Sequence, residues 1–269
     1  MKNVALLPLC LLLAASAASV AVLASQPAFD GPAAPLAARQ PRDVAPFTAV
    51  DAAGSMRVVL RQGSPQRVEV DASAADQAKV ETTVEGGRLR VGRRREGRSM
   101  WSIEKFEGPV TVYVTAPSLT AVSVSGSGDL HVEGAVQAGD FRASVAGSGN
   151  LDMPQLTAQN LSISVAGSGS LNLPNLTAQR LKTSVAGSGD VTLAGRCPQH
   201  EIAIQGSGEV KAANLQTDDT SVRIGGSGNA SITATKTLNS RIAGSGDVLV
   251  RGNPQISSSK SGSGSVRKG

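Results

Sequence analysis

The stretch GSGNLDMPQLTAQNLSISVAGSGSLNLPNLTAQRLKTSVAGSG, residues 147–189, decides the fold. It states one phrase twice. Asn150-Leu151-Asp152-Met153-Pro154 corresponds to Ser170-Leu171-Asn172-Leu173-Pro174, and Gln155-Leu156-Thr157-Ala158-Gln159 to Asn175-Leu176-Thr177-Ala178-Gln179. Leu161-Ser162-Ile163-Ser164-Val165 then corresponds to Leu181-Lys182-Thr183-Ser184-Val185. Apolar and polar residues alternate in these segments, the pattern of strands with one buried and one wet face. Each repeat therefore holds two short strands, one just after Gly-Ser-Gly and one just before it.

Working outward, the tripeptide recurs eight times at intervals of 18 to 21 residues. Its glycines are Gly126 and Gly128, Gly147 and Gly149, Gly167 and Gly169, Gly187 and Gly189, Gly206 and Gly208, Gly226 and Gly228, Gly244 and Gly246, and Gly262 and Gly264. A period near twenty marks a solenoid. The expected fold is all-β: a parallel β-solenoid with Gly-Ser-Gly at the corners, where every coil needs the same tight turn. At the strand spacing of about 4.8 Å, seven steps give a rod on the order of 34 Å long. A phosphate-cradling loop is the rival reading of the tripeptide, but no Lys-Ser/Thr follows it.

Upstream, residues 43–118 form an N-terminal β-rich unit, with alternating runs at 56–60, 67–70, 79–84, 88–91 and 110–114. The turn signals Gln62-Gly63-Ser64-Pro65 and Glu85-Gly86-Gly87 separate them. This unit is expected to cap one end of the stack, whose open edges would otherwise invite aggregation. The solenoid occupies 119–265 and a short tail 266–269, and self-association through the C-terminal coil is expected to cover the other end. Residues 25–42, rich in Pro and Ala, read as a linker. Residues 1–24 read as a signal peptide, with Lys2, the apolar run Val4–Leu13 and small residues before Ser25. Cleavage removes Lys2 and Cys10, leaving Cys197 as a lone cysteine in a small, half-buried turn with no disulfide partner. The mature chain has no apolar segment long enough to span a membrane as a helix. The expected location is the periplasm or cell surface of a bacterium.

Only 6 of the 269 residues are aromatic. A membrane barrel with aromatic girdles and a base-stacking platform are both disfavoured by that figure. Nucleic acid is excluded as a partner by the exported compartment.

Four of the eight residues that follow the corners are acidic: Asp129, Asp190, Glu209 and Asp247. Stacked as a ladder with Asn150, Ser170, Asn229 and Ser265, they suggest calcium. The period differs, however, from the nine-residue repeat of calcium-binding rolls. A polysaccharide-acting enzyme would use carboxylates such as Asp152 with Asp129 or Asp190, or Asp218-Asp219. Asn172 and Thr192 take the place of Asp152 in the next two coils, so that acidic column is not maintained. His131 and His200 fall in different repeats and read as polar strand or loop residues; with Cys197 they give no zinc spacing. The expectation is a non-enzymatic protein without a cofactor. The densest charge, Arg88 to Arg98, nominates Arg90, Arg93, Arg94, Arg95 and Arg98 as contacts for an anionic partner. An envelope glycan or an envelope protein is the partner expected.

Several segments also resemble a known family. Arg42-Asp43-Val44-Ala45-Pro46-Phe47-Thr48-Ala49-Val50, Val58-Val59-Leu60-Arg61-Gln62-Gly63, Gly87-Arg88-Leu89-Arg90-Val91 and Thr115-Ala116-Pro117-Ser118-Leu119 come in its order. Ser125-Gly126-Ser127-Gly128-Asp129-Leu130 then opens the array. Over residues 42 to 265 the chain resembles the bacterial autotransporter adhesin head GIN domain, a family of exported proteins without an established biochemical function. The resemblance implies the solenoid and export. Adhesion enters as a label, since residues 265–269 bring no aromatic-rich membrane strands.

Overall fold

A computed structural model describes residues 38–94 and 106–269. Their β-structure stacks in register, so that residues about twenty apart lie side by side. Val145 pairs with Val165 and Val165 with Val185, while Leu151 pairs with Leu171 and Leu171 with Val191, all in parallel strands. The inward residues form aliphatic columns, among them Val124, Val145, Val165, Val185, Ile204, Ile224 and Ile242, each no more than 3% exposed. Each such side chain contributes about 1.5–3 kcal/mol by leaving water.

A coil has three strand segments rather than the two that the alternation suggested. The middle one, Leu156 to Ala158, pairs with Val136 to Ala138 on one side and Leu176 to Ala178 on the other. It runs into the segment before the corner through a break in the alternation. Ala158 and Leu161 are both buried, with Gln159 and Asn160 outward between them. Two consecutive outward residues turn the chain without interrupting the strand Gln155–Gly167.

The Gly-Ser-Gly corners stack on one another through a single acceptor. The carbonyl oxygen of Gly126 accepts N–H bonds from both Ser148 and Gly149 at 2.9 Å, and that of Gly147 does the same for Ser168 and Gly169. The two glycines are needed for different reasons. Gly187 has φ +117°, and a Cβ there would lie 2.6 Å from Gly167 O. At Gly189 φ is ordinary, but a Cβ would lie 2.6 Å from both Gly169 O and Val165 Cγ1. Only the first requirement, positive φ, could be anticipated from the tripeptide; the second is close approach between coils.

The column of corners begins earlier than the first Gly-Ser-Gly. Strands Ala49–Gly54 and Arg57–Gln62 pair in parallel with Ala121–Gly126 and Asp129–Glu133, and Gly54 takes the corner position against Gly126. Between these paired coils the chain departs to build the N-terminal end. Strand Arg88–Arg93 adds in parallel to Ala49–Gly54, and Val80–Glu85 folds back on it antiparallel. On the other face Thr111–Ala116 adds in parallel to Arg57–Gln62; Arg67–Ala72 and then Ala38–Pro41 follow antiparallel. One continuous core runs through both parts. Buried Asp76 ties this end together, accepting N–H bonds from Glu107 and Gly108 at 3.0 Å and pairing with Lys79 at 3.2 Å. Burial would raise its pKa, but those backbone donors, with Lys79 and Ser73, outweigh it and hold the carboxyl below its usual range.

The far end is finished differently. In the last coil Lys260 pairs with Ile242 and Lys268 with Val250, so cations take two of the column positions, while Ile256 and Val266 continue the columns of Leu238 and Val248. Inward-pointing charge on an edge strand opposes edge-to-edge pairing.

Two outcomes test this account. Gly189→Ala should lower the unfolding free energy in urea by about 3 kcal/mol. Gly139→Ala, where a Cβ meets nothing within 4 Å, should change it by less than about 0.5 kcal/mol. Replacing Lys260 by Ile together with Lys268 by Val should raise the sedimentation coefficient with protein concentration. An unchanged coefficient would show that these lysines do not keep the ends apart.

Candidate functional site

The turn between the middle segment and the segment before the corner repeats in every coil and leaves a concavity. Stacked, these concavities form a groove of about 960 Å³ along the solenoid axis. Its walls are two columns. One runs Asp140, Asn160, Arg180, Gln199, Asp219, Thr237; the other runs Ala121, Arg142, Ser162, Lys182, Glu201, Ser221, Asn239. Phe141, Leu161, Leu181, His200 and Thr220 form the floor, and Arg88 with Gly86 and Gly87 closes the N-terminal end. The floor side chains are 2–3% exposed, so the surface offered to a ligand is mainly that of the walls.

The wall acids are occupied. Asp140 accepts from Asn160 at 2.5 Å, and Arg180 donates onward to Asn160 at 2.7 Å. Glu201 pairs with Arg223 at 2.6 Å, and Asp219 accepts from Thr237 at 2.7 Å. Among the described residues no ion pair involves Arg88, Arg142 or Lys182. The groove lining therefore carries four cations, Arg88, Arg142, Arg180 and Lys182, against three carboxylates, Asp140, Glu201 and Asp219, of which Glu201 is paired outside the groove with Arg223.

The opposite face behaves differently. The ladder after the corners forms as expected, and its rungs satisfy one another. Asn150 donates to Asp129 at 2.8 Å, Ser170 to Asn150 at 2.6 Å and Ser265 to Asp247 at 2.7 Å. Asp190 and Glu209, the two acids on successive rungs, share Lys211 at 3.2 and 3.4 Å. Among the described residues no group of three His, Cys, Asp or Glu side chains could hold a metal ion.

Asp152 has both oxygens engaged, one with His131 Nδ1 and one with Asn172, each at 2.8 Å. Asp218 pairs with Lys236 at 3.1 Å. That contact, followed by the Thr235 hydroxyl, holds its carboxyl below the usual range. A general acid needs the opposite shift.

The arginine cluster divides. Arg90 points outward from strand Arg88–Arg93, Arg93 is half-buried with its guanidinium 5.5 Å from the Phe106 ring centre, and Arg94 is exposed. Arg95 and Arg98 lie outside the described residues. The groove instead gathers Arg88, Arg142, Arg180 and Lys182. Charge density along the chain does not bring these four together; counting back five residues from each corner finds Arg142 and Lys182.

Family comparison follows this geometry. A family model described as "Putative auto-transporter adhesin, head GIN domain" matches residues 46–175 and 155–254. The chain belongs to the head GIN domain family. No curated protein matches it. Among solved structures, a "putative lipid binding protein" of Parabacteroides distasonis superposes with a TM-score of 0.81 at 24% identity. A "putative adhesin" of Parabacteroides merdae gives 0.80 at 20%. Each match covers 87% of this chain and 96% of the other. At that identity the shared property is the solenoid. No helix among the described residues is long and apolar enough to cross a membrane.

Two polar residues of this head GIN domain sit deeper than the sequence suggested. Cys197 is fully buried, with its thiol 3.2 Å from Gln199 O, and burial pushes its pKa up to about 11. His200 takes an inward place between Leu181 and Thr220, and its Nε2 lies 3.0 Å from the Thr183 hydroxyl. Among the described residues its Nδ1 meets no partner, and burial lowers its pKa to about 3. The unfolded chain takes up this proton near pH 6.5, whereas the folded chain resists it. The stability is therefore complete above 6.5 and is lost as the pH falls towards about 3, by about 2 kcal/mol at pH 5. Replacing His200 by Leu and Thr183 by Val should remove that loss. Urea unfolding at pH 7 and pH 5 should then differ by about 2 kcal/mol less than in the parent chain.

Proposed function

We propose that this head GIN domain is an exported, non-enzymatic binding protein of the bacterial envelope, and that it holds a linear glycan along the solenoid axis. The signal-like residues 1–24 support export to the periplasm or cell surface. The observation that carries the binding reading is the groove, which is uninterrupted from Arg88 to Asn239 and follows the stack rather than closing round a small molecule. Its walls alternate Ser, Asn, Gln and Thr with charged groups, a lining suited to a hydroxyl-rich chain. The engaged carboxylates support a binding role over hydrolysis.

The lipid-binding name of one structural neighbour suggests an acyl chain as the occupant. The buried floor argues against it, because Phe141, Leu161 and Leu181 have little surface left to cover an alkyl chain. The adhesin name of the other neighbour fits a glycan-holding surface domain.

Residues 25–269, applied to immobilised linear polysaccharides and to oligomers of increasing length, provide the test. Affinity should climb with oligomer length and level off once the groove, on the order of 38 Å, is filled. Binding that is independent of length, or cleavage of the oligomers, would overturn the reading.

A further inference from the structure

We propose that the glycan is acidic, a linear chain carrying carboxylates that lie against Arg88, Arg142 and Lys182. This rests on the linear-glycan reading and adds its chemistry.

The argument begins with the register. Arg88, Ala49, Ala121, Arg142, Ser162 and Lys182 form one row across six neighbouring strands, exposed at Arg88, Arg142 and Lys182 and buried at Ala49. At the strand spacing Arg142 and Lys182 stand two rungs apart, about 10 Å, and Arg88 stands three rungs from Arg142, about 14 Å. Two rungs is the scale of a disaccharide, so successive cations can meet acidic groups on alternating sugars. The intervening rungs carry Ser162 and, on the facing wall, Asn160, which supply hydroxyl partners in between.

Charge is the second part. A cation in a folded protein commonly finds an internal acid, and this molecule shows that habit repeatedly: Lys211 with Asp190, Arg223 with Glu201, Lys236 with Asp218. The groove row departs from it. Glu201 is paired with Arg223, Asp140 and Asp219 take the neutral donors Asn160 and Thr237 and keep their charge, and Arg88, Arg142 and Lys182 are exposed with no ion pair among the described residues. Guanidinium groups bind carboxylates through two parallel hydrogen bonds, which favours an oriented acid over a diffuse counterion cloud.

The third part concerns rings. Among the described residues Phe141 is the one aromatic side chain in the groove lining, and it is 3% exposed. A neutral glycan recognised by stacking has no platform here, nor does a single-stranded nucleic acid. Affinity must come from charge and hydrogen bonds, and it must weaken with salt.

The probe is an oligogalacturonate long enough to span the groove, compared with the same oligomer fully methyl-esterified. The protein is the chain from residue 25 to 269, studied by calorimetry at low and at physiological salt. The free acid should bind at least about tenfold more tightly than the ester at low salt, with the gap narrowing as salt rises. Arg142→Gln with Lys182→Gln should weaken the acid by about tenfold and leave the ester unchanged. Arg57→Gln, which removes an exposed cation from the opposite face, should change neither. Both variants alter outward residues, and an unchanged melting temperature confirms that they fold.

Equal binding of acid and ester would overturn the acidic-glycan proposal while leaving the linear-glycan reading standing. Failure of both forms to bind would remove the two together. Binding of inorganic polyphosphate as tight as that of the uronate would show that the row reads charge alone, and would overturn the glycan assignment.

Discussion

One contact sets the terms for the molecule: the carbonyl oxygen of a corner glycine receiving two N–H groups from the corner of the next coil. At 2.9 Å to both donors, that oxygen occupies the space where a Cβ of the next coil would project. The first glycine must therefore lack a side chain, and the second must lack one because its neighbour's carbonyl and a Val or Ile branch sit against it. Made with both donors at Gly54, Gly126, Gly147, Gly187 and Gly226 and with one at Gly167, Gly206 and Gly244, the contact fixes register. A strand with one buried face cannot slip by one residue without turning its apolar set outward, and here each corner pins the next. The excess of Gly and the scarcity of rings follow together, because coils this thin close over Val, Leu, Ile and Ala.

Fixed register turns sequence into columns, and the columns differ in how they meet their own polar needs. The ladder after the corners closes on itself through Asn150, Ser170, Lys211 and Ser265. It can be understood as structure alone. The row of Arg88, Arg142 and Lys182 does not close. A solenoid permits this asymmetry at little cost, since outward positions carry none of the core and a substitution there leaves the corner contact intact.

Much of the fold is legible in the sequence because the repeat is strict. Eight Gly-Ser-Gly corners and the alternation around them specify parallel coils, aliphatic columns and the polar ladder. The third strand segment was hidden by its own break in alternation. Gln159-Asn160 and Gln179-Arg180 look like the end of a strand, yet the ladder runs through them because the neighbouring coil bends at the same place. Gly54-Ser55-Met56 was missed as a corner because Met56 replaces the second glycine and some seventy residues separate it from its partner Gly126. His200 reads as a polar strand or loop residue from its chemistry, whereas counting along the repeat puts it over Leu181, inside. Asp76 had no signal, since its partners Glu107 and Gly108 arrive from across the arginine-rich stretch.

The groove shows the same lesson at the level of function. Linear charge density nominated the arginines from Arg90 to Arg98, of which Arg93 is half-buried beside Phe106. The residues that share a surface are instead separated by forty and by fifty-odd positions, and only the register unites them. In a stacked fold the relevant neighbour of Arg142 is the residue one coil away, and the relevant charge is the one left after each column's own bonds are made. By that count the ladder's polar groups meet one another, while Arg88, Arg142 and Lys182 of the groove have no ion pair among the described residues. The groove face is where an external partner can gain most from binding.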